Sequence, residues 1–313
     1  MTHAMNPRPR IHLTEVAPRD GLQAEACFVP SADKIALIDM LSRSGLAKIE
    51  VTSFVSPQAI PALADADAVL GTIHRAPEII YTVLVPNLRG AERALPLRPD
   101  EFNLVMSVSE SHNRANLRRS CEESFSALRE VVALARTAGI AINVSLSTAF
   151  GCPYEGEVAQ ARVLDWAWQF FDLGVDSIAL CDTTGMAYPA QVSTICAAWA
   201  RRWPLETLTL HFHNTRGMGL ANVLAGAVAG VRRFDASLGG LGGCPYAPGA
   251  TGNVCTEDVA HMLELQGYDC GIDIDILLTA SERLQKLVGH EVPGQILKAG
   301  RRLERRPAAI VNR

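Results

Sequence analysis

Eight β-rich apolar runs, each followed by a longer segment of helical spacing, recur through 313 residues without an intervening linker, and they predict a (β/α)8 (TIM) barrel with an additional C-terminal helix. Size and composition agree. Such a barrel occupies roughly 200–250 residues or more as one domain, and a chain with 48% hydrophobic residues can fill one. The turn after the first strand, Pro18-Arg19-Asp20-Gly21-Leu22-Gln23, lacks the glycine pattern of a dinucleotide-binding turn, which counts against an open doubly wound sheet.

The strands are expected near residues 11–17, 47–51, 79–84, 101–107, 141–147, 177–180, 208–213 and 233–236. Pro30-Ser31 opens a helix ahead of residues 34–44, Ser120 caps one over residues 122–138, and Gly45, Gly139 and Gly174 stop helices. Residues 272–288 supply the extra helix, within a C-terminal helical extension over 272–313. Residues 1–10 are expected to be disordered, and the whole of 1–313 to form a single catalytic domain. Arg301-Arg302 with Arg305-Arg306 reads as a solvated helix end.

Formal net charge is −4 with 20% charged residues, so no basic field marks a nucleic-acid binder, and a small-molecule partner is the default. The eight cysteines form no Cys-x-x-Cys pair and follow no secretory leader, the pattern of reduced intracellular thiols. No apolar run approaches the roughly 18 residues of a membrane span. The first ten residues, with two prolines, are too short and polar for a signal peptide. A cytoplasmic location is therefore expected.

With the strands so placed, reactive side chains fall repeatedly at carboxyl ends, where the βα loops of a barrel build its active site. Arg19 and Asp20 follow strand one, Glu50 lies in strand two, Asp182 ends strand six, and His211 and His213 end strand seven. The two histidines are two apart in an extended segment, so both rings face the barrel interior. Two imidazoles with carboxylates at hand favour metal ligation over a core role. Asp20 adds an anionic ligand and Asn253 a carbonyl oxygen, a set that suits an octahedral Mg2+ or Mn2+, with zinc left open. Arg19 reads as a fixed cation for an enolate oxygen, or more plainly as a salt-bridge partner of Glu50. Residues 238–253, LGGLGGCPYAPGATGN, hold six glycines and are expected to form a mobile loop that closes over substrate and delivers the Cys244 thiol for proton transfer.

Seven motifs carry a resemblance over about residues 16–265: PRDGLQ (18–23), IEVTSFVSP (49–57), VPN (85–87), GCPYEG (151–156), DTTG (182–185), HFHNT (211–215) and GGLGGCPYAPGATGNVCTED (239–258). The chain resembles the 3-hydroxy-3-methylglutaryl-CoA lyases, metal-dependent barrel enzymes related to the isopropylmalate and homocitrate synthases. The resemblance implies that Asp20, His211, His213 and Asn253 bind the cation and that Arg19, Glu50, Asp182 and Cys244 serve catalysis. It implies retro-Claisen cleavage of an acyl-CoA partner. The metal takes the tertiary hydroxyl and carboxylate, Asp182 or His211 the hydroxyl proton, and Arg19, oriented by Glu50, the enolate. Cys244, with an ordinary thiol pKa of about 8.5, protonates the released carbon.

Four departures bear on the acyl group: Asn214 where the family has aspartate, Arg216 where it has tyrosine or a small residue, Thr184 for isoleucine, and a stretch at 109–116 lacking the usual phenylalanine and lysine. They allow citramalyl-CoA as an alternative substrate. A Claisen-condensing synthase and a non-catalytic binding barrel are further readings. Arg114, Arg118 and Arg119 meet CoA phosphates or simply start a solvated helix. Pairing through outer helices would make a homodimer.

Overall fold

The computed structural model describes residues 8–243 and 252–304. Its strands are β1 (His12–Glu15), β2 (Lys48–Ser53), β3 (Ile80–Leu84), β4 (Glu101–Ser107), β5 (Ala141–Ser147), β6 (Ser177–Asp182), β7 (Leu208–Phe212) and β8 (Arg233–Ala236). Each pairs in parallel with the next, and β8 pairs with β1, so the sheet closes and the open-sheet alternative falls. Around it lie α1 (Ser31–Leu41), α2 (Ala66–Thr72), α3 (Leu88–Ala94), α4 (Glu110–Leu117), α5 (Cys121–Ala138), α6 (Gln160–Asp172), α7 (Pro189–Ala200), α8 (Gly219–Val228) and α9 (Thr256–Leu265), followed by α10 (Ile274–Val288) and α11 (Ile296–Ala299).

Local chemistry sets these boundaries. At α5 the Ser120 hydroxyl accepts from Glu123 N (3.0 Å) while the Glu123 carboxylate accepts from Ser120 N (2.7 Å), a reciprocal cap, and Gly139 ends the helix at φ 70°. The Asp273 side chain accepts from Asp275 N and Ile276 N to open α10, the extra helix. No described helix is long and apolar enough to cross a membrane. Arg301, in the basic tail, pairs with Asp275, whereas Arg305 and Arg306 lie outside the described residues.

Three expectations shift. β1 stops at Glu15, because the chain turns into a π-type coil over Ala17–Gly21. β7 stops at Phe212, and His213 instead forms an antiparallel bridge with Asn253. Arg10, placed in the segment expected to be disordered, is bridged to Asp269: Ile11 N donates to Asp269 O (2.8 Å) and Asp269 N to Pro9 O (3.0 Å).

Strand alternation divides the core into two media. In β4 and β5, Phe102, Leu104, Met106, Ile142, Val144 and Leu146 are fully buried and apolar, and between them stand Asn103, Asn143, Ser145 and Ser147 on the other face. That other face is the lumen, and it is polar.

Candidate active site

A column of hydrogen bonds climbs the lumen. Ser177 Oγ donates to Asn143 Oδ1 (2.8 Å), Asn143 Nδ2 to Asn103 Oδ1 (2.9 Å), and Asn103 Nδ2 to Glu50 Oε1 (2.7 Å). The other Glu50 oxygen accepts from Arg19 Nε at 2.6 Å, and Arg19 Nη1 donates to Asp20 Oδ1 at 2.7 Å. At Glu50 the β2–β3 register slips by one residue, a bulge that re-aims a side chain next to a site. Buried polar groups demand partners, and here each lumen residue orients the next up to the Arg19 guanidinium. Burial opposes the Arg19 charge, but Glu50 and Asp20 outweigh it and hold its pKa above the ordinary value. Burial likewise pushes the Glu50 carboxyl up, against the pull of Arg19 and Asn103.

Asp20, His211 and His213 bring one ligand atom each to within 4.8 Å of one another, a group that could hold a metal ion. Burial would raise the Asp20 carboxyl, yet Arg19, the two imidazoles and the Asn253 amide outweigh it and hold it well below the usual carboxylate range. Asn253 Nδ2 donates to Asp20 Oδ2 (2.8 Å) and to Leu241 O (3.0 Å). Its Oδ1 is buried with no hydrogen-bond partner among the described residues. An anionic oxygen, two imidazoles and an orphaned carbonyl oxygen on one side of a cavity fit a divalent cation. Asp235 of β8, missed in the sequence, sits 3.3 Å from His211 Nδ1, the carboxylate–histidine arrangement that orients a ligating ring. Burial opposes the His211 charge, but Asp235 and Asp20 raise its pKa above the ordinary value.

Asp182 stands apart. Its neighbours Cys181 and Thr183 line the cavity, whereas its own Oδ1 accepts from Met186 N (2.7 Å) and Ala187 N (3.1 Å). Oδ2 is buried with no hydrogen-bond partner among the described residues, and burial pushes the carboxyl up to about 7. Cys244 lies outside the described residues; the seven described cysteines are free. Arg114, one of the proposed phosphate contacts, pairs with Glu110 one turn back (2.8 Å) on the surface of α4.

Two buried glutamates that the sequence reading passed over clamp the base of the glycine-rich segment. Glu15 Oε1 accepts from Ala17 N and Leu238 N (2.8 Å each), and its Oε2 accepts from Thr256 Oγ1 (2.8 Å). Glu257 accepts from Gly239 N, Cys255 Sγ and Ser281 Oγ. Glu15 thus joins the turn bearing Arg19 and Asp20 to both ends of the segment bearing Asn253. Gly239, Gly240 and Gly242 there have φ between 64° and 101°, which side chains other than glycine seldom adopt.

These groups open on a cavity of about 590 Å³ whose walls include Arg19, Asp20, His211, His213 and Asp235 on one side and Val105, His112, Ser145, Ser147 and Thr183 from the β4–β6 ends. A barrel with a cation-type cluster and a fixed guanidinium at its carboxyl-terminal mouth is the scaffold of an enzyme acting on small, oxygen-rich molecules. The HMGL-like family model matches residues 10–284. The chain belongs to that family. It is 43% identical over 289 residues to the hydroxymethylglutaryl-CoA lyase of Bacillus subtilis, covering 92% of this chain and 97% of the relative. It is 39% identical over 300 residues to the (R)-citramalyl-CoA lyase of Chloroflexus aurantiacus, covering 93% and 95%. Among solved structures, an HMG-CoA lyase from Acinetobacter baumannii in complex with coenzyme A and 3-methylmalate superposes with a TM-score of 0.92 at 48% identity, covering 95% of this chain and 97% of that one.

Proposed function

We propose that this protein is a divalent-cation-dependent carbon–carbon lyase that cleaves 3-hydroxy-3-methylglutaryl-CoA to acetyl-CoA and acetoacetate by a retro-Claisen reaction. The observation that carries the proposal is the convergence of Arg19, Asp20, His211 and His213 on one cavity, in a family whose relatives include hydroxymethylglutaryl-CoA lyases. Asp20, His211, His213 and Asn253 are the proposed holders of the ion, and the hard oxygen donors favour Mg2+ or Mn2+. A cation bound there would supply Lewis acidity to the reacting oxygens of the substrate.

The remaining roles belong to the chain. Asp182 or His211 takes the hydroxyl proton: His211 lines the cavity, and the Asp182 carboxyl, at about 7, has no hydrogen-bond partner for Oδ2 among the described residues. As the hydroxyl-bearing carbon becomes a ketone, the electron pair of the broken carbon–carbon bond passes to the thioester as an enolate. Arg19, held by Glu50, stabilises that oxygen. The Cys244 thiol then gives its proton to the enolate carbon, releasing acetyl-CoA. A homodimer joined through outer helices and a cytoplasmic location complete the proposal on the strength of the family resemblance; sedimentation at a two-chain mass tests the first.

The experiment is product identification with each acyl-CoA offered separately. Acetoacetate and acetyl-CoA from hydroxymethylglutaryl-CoA is the expected result. Pyruvate from (R)-citramalyl-CoA as the preferred reaction would overturn the acyl assignment, and condensation without cleavage would overturn the reaction type.

A further inference from the structure

The hydrogen bonds that lead to Glu50 run in one direction. A carboxylate accepts and does not donate, so Asn103 meets Glu50 Oε1 with its amide nitrogen, at 2.7 Å. Its Oδ1 is then the acceptor, and two donors take it, Asn143 Nδ2 and Ser145 Oγ, each at 2.9 Å. Asn143 has Oδ1 left for Ser177 Oγ (2.8 Å). Asn103, Asn143 and Ser177 are paired in register on β4, β5 and β6, so the backbone ladder sets these side chains side by side.

The step from Asn103 to Glu50 is of another kind, because β3 lies between β4 and β2 in the sheet and the hydrogen bond passes over it. On β3 itself, Thr82 turns its hydroxyl to Glu101 O (3.2 Å). Glu50 stands where β2 bulges and is 1% exposed, and its second oxygen accepts from Arg19 Nε at 2.6 Å. One oxygen therefore faces the guanidinium, and the other faces an amide whose own orientation is fixed by Asn143 and Ser145. Burial works against the Glu50 charge, and the Asn103 N–H opposes that push.

We infer that Asn103 is a positioning residue for the reaction: its amide, locked by Asn143 and Ser145, holds Glu50 in the orientation that aims the Arg19 guanidinium at the cavity. The inference rests on the lyase reading above, in which Arg19 receives the enolate charge. Arg19 lines the cavity and Asn103 does not, so Asn103 acts through Glu50 and Arg19. An interaction of that kind is felt when charge develops in the transition state, and its loss falls on kcat rather than on KM.

The test exchanges donor and acceptor, with steady-state kinetics on the acyl-CoA that the wild type cleaves. Asn103→Asp sets an oxygen against Glu50 Oε1, and Glu50→Gln sets an amide nitrogen against a donor. Each should lower kcat by at least about tenfold with KM within about threefold, the scale of one hydrogen bond to a charged group. Combining the two restores the pattern. The new amide donates to the new carboxylate and still accepts from Arg19 Nε, while Asn143 and Ser145 keep their acceptor. The double variant should therefore exceed either single variant in kcat by at least about fivefold, a coupling that loss of packing would not produce. Should Asn103→Asp not fold, the comparison of the double variant with Glu50→Gln decides. A double variant that does not fold, or turns over no faster than the better single variant, would overturn the inference while leaving the lyase reading intact. So would Asn103→Asp with wild-type kcat, or a loss carried by KM. A wild-type protein that cleaves neither acyl-CoA would overturn that reading and the inference with it.

Discussion

Arg19 illustrates how completely two neighbours can fix one side chain. Nε and Nη1 are committed to Glu50 and Asp20, so the guanidinium has one orientation and no reorganisation to undergo during reaction. Arg19→Gln should lower kcat by about a hundredfold or more while leaving cation affinity within about threefold, measured by turnover and calorimetric titration. Asp182 leads to a pH dependence. A base with its carboxyl at about 7 must be deprotonated to act, so kcat should rise with pH through that region. Asp182→Asn should lose about a hundredfold in kcat and flatten that limb; a variant with an unchanged profile would remove Asp182 from the chemistry. Arg19, Asp20 and the two histidines were legible in the sequence because short-range geometry betrays them: adjacency in one case, an i, i+2 pair on a strand in the other. Asp235 was not, because a single aspartate in Arg-Phe-Asp-Ala gains meaning only from His211, 24 residues away and on the neighbouring strand.

At the scale of elements, the segment from β8 to α9 is anchored at its ends by backbone contacts too close for side chains. A Cβ on Gly252 would stand 1.7 Å from Gly240 O, so Gly252→Ala must shift the backbone that positions Asn253. It should lower both the melting temperature and cation affinity, and unchanged affinity would show that Asn253 is held by other means. Glu15 makes a second test. Burial pushes its carboxyl up to about 8 from 4.5, so the native state keeps a proton that the unfolded chain releases. Its stabilising contribution is complete below the unfolded value and is lost as pH rises toward about 8. Glu15→Gln keeps an acceptor for the Ala17 and Leu238 amides and removes the ionisation, so urea denaturation from about pH 5 to 8 should give a flatter slope than wild type. The helix caps at Ser120 and Gly139 could be read in advance because they are local. The end of β1 could not, since the turn over Ala17–Gly21 is held by Glu15, whose partners Leu238 and Thr256 lie more than 220 residues away in the chain, beyond the neighbouring β8.

For the molecule as a whole, the alternation of β runs and helices announced the barrel, and closure through β1 and β8 gathers Asp20, His211 and His213, more than 190 residues apart in the chain, onto one mouth. What composition concealed is the polarity of the lumen. Asparagines and serines in β4, β5 and β6 look like weak strand residues until closure turns them inward, where they link Ser177 through Asn143 and Asn103 to Glu50 and Arg19. The fold therefore acts as one rigid support for a reaction at its rim. The most direct test is acetyl-CoA release from hydroxymethylglutaryl-CoA by chelator-stripped protein, before and after Mg2+ or Mn2+ is restored, alongside His211→Ala. Cleavage that returns with the cation and is lost in the variant is the predicted result; full cleavage by the stripped protein, or by His211→Ala, would contradict it.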